Sequence, residues 1–96
     1  LKDIYYIESG NKKVIFHTTD GTLEVYGKMD ELENRLGNTF YRCHRCYLVN
    51  MEKISAYSGD HIQVTNGDKL LLARKKYSDF IKTYMRYAKN GGIVNV

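Results

Sequence analysis

The chain has 96 residues, 43% hydrophobic and 27% charged, which suits one globular domain and excludes disordered and fibrous classes. Its apolar runs are far too short to span a membrane, so we expect no membrane contact from this domain. The net charge of +4 permits a polyanionic partner without requiring one.

Basic residues are concentrated towards the C-terminus. Between residues 69 and 89 there are seven basic side chains and one acidic side chain, Asp79. Between residues 20 and 33 the balance is reversed, with five acids and only Lys28 as a base. This asymmetry predicts one basic side rather than an even coat of charge, a pattern that suits a polyanion-binding surface.

The turn signals divide most of the chain into short segments rich in β-branched and aromatic residues, which is typical of strands. We predict strands at residues 3–8, 14–18, 23–26, 39–43, 53–57, 61–65 and 69–73. The pairs Asp20-Gly21 and Asn66-Gly67 supply the positive φ that tight hairpin turns need.

Two segments instead repeat apolar residues at helical spacing. Met29, Leu32 and Leu36 predict a short helix that begins with acids and is capped by Gly37. The second helix is predicted from an apolar stripe that begins at residue 77 and is stopped by the glycines at 91 and 92. This stripe comprises Tyr77, Phe80, Ile81, Tyr84, Met85 and Ala88.

The order of elements and motifs argues against enzymes. A glycine-rich phosphate loop after a strand is missing, as is any βαβ rhythm, so nucleotide-binding folds are excluded. The sequence also lacks a serine–histidine–acid order, paired acids on one element and an H-E-x-x-H stretch. We predict a non-enzymatic, mainly β domain that needs no cofactor.

The segment Phe40–Asn50, which reads FYRCHRCYLVN and is followed by Ile54, resembles the central signature of the LytTR family, F-x-R-x-H-R-S-x-L-V-N. Residues 1–9 resemble the opening strand of that family, and residues 26–36 its first helix. Residues 71–77 resemble the S-R-K-Y segment before its last helix. Two departures are Cys46 and Ala73, which both stand where the family has serine; the second should weaken a helix cap by ~1 kcal/mol.

The resemblance implies an elongated stack of mostly antiparallel β-sheets with one short internal helix and one C-terminal helix. It implies a bacterial, cytoplasmic transcription regulator that binds double-stranded DNA by inserting loops into successive major grooves. Direct-repeat promoter sites, a homodimer on DNA and an upstream receiver or sensor domain of a two-component response regulator are implied as well. We interpret residues 1–96 as a single domain excised from such a regulator, with part of its first strand missing.

Basic side chains stand at three loop-like positions: residues 11–13, 42–45 and 74–76. Duplex DNA is bound by cations on phosphates and by a few side chains on base edges. The planar fork of arginine matches the guanine edge, so the resemblance points to Arg45 and Arg74 as base readers. We expect either Lys12 or Lys13 at the third position. The remaining predicted DNA-binding residues are Arg42, His44, Cys46, Lys75 and Lys76.

Each candidate also has a plainer interpretation. Surface lysines and arginines usually serve solubility, and His44 could orient its loop instead of contacting DNA. Cys43 and Cys46 form a C-x-x-C, which could be a redox pair or half of a zinc site, although packing of Cys43 is the simplest reading. Asn50 is predicted to bond nearby backbone in a turn. The alternative functions are a protein-interaction module, a redox-responsive regulator and single-strand binding through tyrosines.

Overall fold

A computed structural model describes residues 3–91 of the chain, with the side chains of residues 3–89. The strands are β1 (Ile4–Ser9), β2 (Lys13–Thr18), β3 (Gly21–Tyr26), β4 (Phe40–His44), β5 (Tyr47–Asn50), β6 (Ile54–Tyr57), β7 (His61–Val64) and β8 (Lys69–Leu71). The helices are α1 (Met29–Leu36) and α2 (Tyr77–Gly91). Short 3-10 turns lie at Gly37–Thr39, Met51–Lys53 and Arg74–Lys76.

The strands form two antiparallel sheets. The first has the order β3-β2-β1-β5-β4 and the second the order β6-β7-β8. The molecule measures 40 × 28 × 25 Å, so it is elongated. The predicted fold, stacked antiparallel sheets with two helices, is confirmed.

The larger sheet is covered on both faces. On one face, Ile7, Val14 and Leu48 pack with Phe40 and the first turn of α1. On the other face, a larger core joins the first sheet to the second sheet and to α2. Its buried members are Tyr6, Tyr41, Cys43, Val49, Met51, Ile62, Val64, Leu70, Leu72 and Phe80. Together these two cores fix the relative positions of the strand ends.

The turn predictions hold where glycine is required. Gly21 and Gly67 have φ of 116° and 96°, and Gly37, at the end of α1, has φ of 75°. In the turn between β1 and β2, however, the positive φ falls on Lys12, at 61°, and not on the neighbouring Gly10 or Asn11. A residue other than glycine is strained in this backbone conformation, and Lys12 is one of the predicted DNA-binding residues.

Two predictions of structure need correction. The sequence pattern predicts no strand at Tyr47–Asn50, but β5 lies there and pairs with both β1 and β4. The stripe on α2 is confirmed in part: Phe80, Ile81, Tyr84 and Ala88 are buried or packed on the core. Its other two members, Tyr77 and Met85, are 39% and 51% exposed, whereas Tyr87, outside the predicted stripe, packs against the core. The core contacts α2 along a narrower face, which leaves the edge of the predicted stripe in solvent.

Candidate nucleic-acid interface

Four connections meet at one end of the molecule, which we call the basic end: residues 10–12, 27–28, 45–46 and 74–76. The pairing of the strands explains why. β1 and β4 both run antiparallel to β5, so both finish on the same side of the sheet. β3 runs antiparallel to β2 and finishes beside the start of β2, where Tyr26 pairs with Lys13.

The turn between β4 and β5 is the centre of the basic end because backbone hydrogen bonds tie it to neighbours on both sides. The Ser9 N–H donates to the Cys46 carbonyl at 2.9 Å, which fixes the turn to the end of β1. The Ala73 N–H donates to the Cys43 carbonyl at 3.0 Å, which fixes the start of the Arg74–Lys76 turn to β4. The three loop positions predicted from the sequence are therefore brought to one end of the molecule.

The exposed cations of the basic end are Lys12, Lys28, Arg45, Arg74 and Lys75. Among residues 3–89, no carboxylate forms an ion pair with any of them. Unpaired, solvated cations keep their full charge for a partner and need not break internal contacts first. This is the state required of groups that bind phosphates or base edges.

Arg42 is placed differently from the other predicted DNA-binding residues. Its guanidinium donates to Asp30 at 3.0 Å and to Glu33 at 2.9 Å, both on α1. It also donates to the carbonyls of His44, at 3.2 Å, and Arg45, at 2.7 Å. Only 15% of the side chain is exposed. A DNA phosphate would have to displace these acceptors, so the geometry gives Arg42 an internal task.

Lys76 and Lys13 are also engaged. The Lys76 ammonium donates to the Arg42 carbonyl at 2.6 Å and lies 5.7 Å from the centre of the Tyr41 ring. The Lys13 ammonium lies 3.6 Å from the Glu24 carboxylate and over the Tyr26 ring. Both side chains are half-buried, whereas Lys12 is exposed. Of the two lysines predicted for the third position, Lys12 is the more accessible.

His44 accepts the backbone N–H of Cys46 on its Nδ1 at 3.1 Å. Because Nδ1 is the acceptor, the neutral ring carries its proton on Nε2. The same histidine can therefore shape the turn with one nitrogen and donate a hydrogen bond to DNA with the other. The two roles weighed from the sequence are compatible.

The cysteines do not look like a redox pair. Cys43 is fully buried, and burial raises the pKa of its thiol to about 12. Since thiol exchange proceeds through the thiolate, Cys43 is unreactive at neutral pH. Cys46 is half-buried, in the turn itself. In the described part of the chain, no group of histidine, cysteine and acidic side chains is arranged to hold a metal ion.

Asn50 has the predicted structural role. Its side-chain amide donates to the Ile4 carbonyl at 2.8 Å, and its oxygen accepts the Glu52 N–H at 2.9 Å. The residue is 1% exposed. These bonds fix the end of β5 against the start of β1, and the prediction that Asn50 bonds nearby backbone is confirmed.

A cleft of about 340 Å³ opens at the basic end between the β1–β2 turn, the link from β3 to α1 and the β4–β5 turn. Its lining includes Lys28, which the sequence analysis did not select. Lys28 stands alone in an acidic stretch of sequence, so composition gave no signal. Only the topology shows that this lysine reaches the same end as Lys12 and Arg45.

Between residues 3 and 91, neither helix is long and apolar enough to cross a membrane.

Comparison with protein families gives a match over most of the chain. The family model described as the LytTr DNA-binding domain matches residues 1–85. The matched region contains both sheets, α1 and every connection of the basic end.

Among curated proteins, the chain is similar to Accessory gene regulator protein A of Staphylococcus aureus strains N315 and MW2. The identity is 36% over 56 residues in each case. The aligned stretch is 56% of this chain, which spans only 23% of the length of those relatives.

Among solved structures, the chain is similar to the LytTr DNA-binding domain of a Bacillus cereus protein described as a methyl-accepting/DNA response regulator. The TM-score is 0.76, the identity is 23%, and the superposition covers 88% of this chain and 82% of the other. At this identity the likeness establishes a shared fold.

Proposed function

The chain belongs to the LytTR family of DNA-binding domains, and from this premise we propose that it regulates transcription by binding specific duplex DNA sequences. A single observation carries the proposal. The three positive loop positions predicted from the sequence lie at one end of the molecule, joined by backbone hydrogen bonds through the β4–β5 turn. Their exposed cations have no carboxylate partner among the described residues.

We assign base reading to Arg45 and Arg74. Both are exposed, and each stands on a short connection held by backbone hydrogen bonds, as loops inserted into a major groove require. Arginine can donate two hydrogen bonds to O6 and N7 of one guanine, which gives sequence preference. Lys12 and Lys75 are phosphate partners in this assignment, because the lysine ammonium suits a point charge.

The remaining predicted DNA-binding residues receive supporting tasks. Arg42 and Lys76 hold the β4–β5 turn from within the protein, and Lys13 balances Glu24. His44 can donate from Nε2 towards DNA. Cys46 contributes its carbonyl to the tie with Ser9 and offers no hydroxyl for a phosphate.

The assembly is proposed from the family. A regulator of this kind would place two copies of the domain on direct-repeat promoter sites, with an upstream receiver or sensor domain controlling their pairing. The proteins that it resembles are named as an accessory gene regulator and as a response regulator. This chain spans only 23% of the length of the first. Action on chromosomal DNA would place the protein in the cytoplasm.

The test is a selection of random duplex DNA on the purified chain, with affinities of the selected sequences measured at two salt concentrations. We expect a defined motif that is bound far more tightly than scrambled DNA. A folded chain that enriches no motif, alone or with its upstream segment, would contradict the proposal and favour a protein-interaction module.

The variant Arg74→Ala then tests the assignment of base reading. It should relax the preference at one base position at a cost of ~1–3 kcal/mol. Lys75→Ala is the matched comparison and should weaken all sequences to a similar degree. Equal weakening of all sequences by Arg74→Ala would show that Arg74 contacts only the backbone.

A further inference from the structure

The basic cleft is the 340 Å³ cleft described above, and its lining carries more cationic than acidic side chains. Its charged lining residues are Lys12, Lys13, Lys28, Arg42, Arg45 and Asp30. Five cations therefore face one carboxylate. Since these charges line one open surface cleft, their potentials add in the solvent above it.

Two of the five cations are already compensated. Arg42 bonds Asp30 and Glu33, and Lys13 lies 3.6 Å from Glu24. Among the side chains that the structure describes, no carboxylate pairs with Lys12, Lys28 or Arg45. Asp30, the acid that lines the cleft, is paired with Arg42. Lys12, Lys28 and Arg45 are therefore left without a counter-ion among the described side chains.

The size and chemistry of the cleft fit a phosphate group. Its volume corresponds to about eleven water molecules at ~30 Å³ each, which admits a phosphate with part of its hydration shell. Lysine ammonium groups on flexible stems bind phosphates as point charges. An apolar or neutral ligand would gain nothing from the unpaired cations.

We propose that the basic cleft binds one backbone phosphate of the DNA, with Lys28 and Lys12 as its two cationic contacts. The proposal rests on the proposed function and adds the β3–α1 link as a fourth DNA-contacting segment. The phosphate held here lies beside Arg45, so the cleft sets the register in which Arg45 meets the bases. Lys28 thus affects sequence specificity by positioning Arg45 on the DNA, and it does not contact a base itself.

The first experiment compares the wild-type chain with Lys28→Gln and the control Lys89→Gln. Lys89 is also exposed but lies twelve residues into α2, about 18 Å along the helix axis from its start. If Lys28 neutralises one phosphate, the slope of log K against log salt should flatten by about 0.9. The affinity advantage of the wild type should then shrink about 3.5-fold between 50 and 200 mM salt. Lys89→Gln should leave the slope unchanged.

The second experiment locates the phosphate. Neutral methylphosphonate linkages are introduced one at a time into the selected duplex, and binding is measured for the wild type and for Lys28→Gln. One linkage should weaken the wild type severalfold and weaken Lys28→Gln clearly less, because only Lys12 still contacts that phosphate in the variant. Additive effects at every linkage would overturn the proposal.

A third measurement separates DNA phosphate from a free anion. Inorganic phosphate is titrated into the chain while the backbone resonances of residues 27 and 28 are followed by NMR. Weak, unsaturated binding is expected; saturable binding together with an unchanged salt slope in Lys28→Gln would assign the cleft to a small anion instead. A wild-type chain that selects no DNA sequence would count against the proposed function, whereas unaltered DNA binding by Lys28→Gln would count against the cleft alone.

Discussion

The Arg42 guanidinium is shared between two elements of the protein, and a substitution can separate this task from a DNA contact. Lysine keeps the charge but cannot donate to two carboxylates and two carbonyls at once. We expect Arg42→Lys to lower the affinity ratio between selected and scrambled DNA by about tenfold, as when one base contact is lost. The salt dependence should stay that of the wild type.

The same binding titrations on a second variant, Arg42→Gln, test the alternative that Arg42 contacts a DNA phosphate. If Arg42 neutralises a phosphate, Arg42→Gln will weaken selected and scrambled DNA equally and flatten the salt slope by about 0.9. Asp30 and Glu33 remain partly exposed to water, at 89% and 45% of their side chains, so the variant has no stranded buried charge.

Lys12 combines backbone strain with a proposed binding role. Its φ of 61° is a conformation that glycine adopts without steric strain, whereas it costs other residues about 1–2 kcal/mol. Glycine also loses about 0.5–1 kcal/mol more backbone entropy on folding, so Lys12→Gly should raise the free energy of unfolding by a net ~0.5–1 kcal/mol while weakening DNA binding. Urea unfolding and binding titrations measure the two effects. Lys12→Gln is the control, because it removes the charge and keeps the strain; a Lys12→Gly chain less stable than the wild type would refute the strain argument.

At the scale of elements, the start of the last helical segment lacks a cap. Ala73 has extended backbone angles and precedes the Arg74–Lys76 turn, with no side-chain oxygen to accept its free N–H groups. Ala73→Ser should raise the free energy of unfolding by about 0.5–1 kcal/mol. The same change at exposed Ala56 in β6 is the matched control and should bring no gain. Equal effects at both positions would exclude capping as the cause.

Elements with a single buried face could be predicted from the sequence, and β5 shows why others could not. Leu48 and Val49 are adjacent in the chain and both fully buried, one on each face of the larger sheet. A strand buried on both faces loses the alternation by which strands are recognised. The two helices keep one apolar face each, so their spacing predicted them correctly.

The candidate site divides along a similar line. The three loop positions followed from basic residues in three separate segments and from the family resemblance, and the structure brings them to one end. Lys28 and the internal task of Arg42 depend on contacts between residues distant in sequence, such as the pair Arg42 and Asp30. No local pattern reports such contacts.

At the scale of the whole molecule, two buried tyrosines should make the free energy of unfolding depend on pH in the alkaline range. Burial raises the pKa of Tyr6 and of Tyr41, and hydrogen bonds to Asp68 and Asp79 raise both pKa values further. Above a pH of about 10 the unfolded chain releases protons that the folded chain retains. The two tyrosines therefore make their full contribution to the free energy of unfolding below that pH. Above it, the free energy of unfolding should fall by ~1.4 kcal/mol per pH unit for each of the two groups.

Urea unfolding at several pH values from 8 upwards measures this slope. Tyr41→Phe should remove the share of one tyrosine from the loss of the free energy of unfolding per pH unit. Tyr26→Phe, at a residue that is 81% exposed, should leave that loss unchanged. A slope that is the same in both variants would mean that Tyr41 does not hold its proton.

The hydrogen bonds that join the β4–β5 turn to its neighbours have a consequence for the DNA as well as for the protein. One extra base pair advances B-form DNA by about 3.4 Å and rotates it by about 34°. Contact points on flexible tethers could follow such a change, but contact points that share backbone hydrogen bonds move only together. In a target of this domain, the number of base pairs between the recognised positions should therefore be as strictly conserved as the recognised bases.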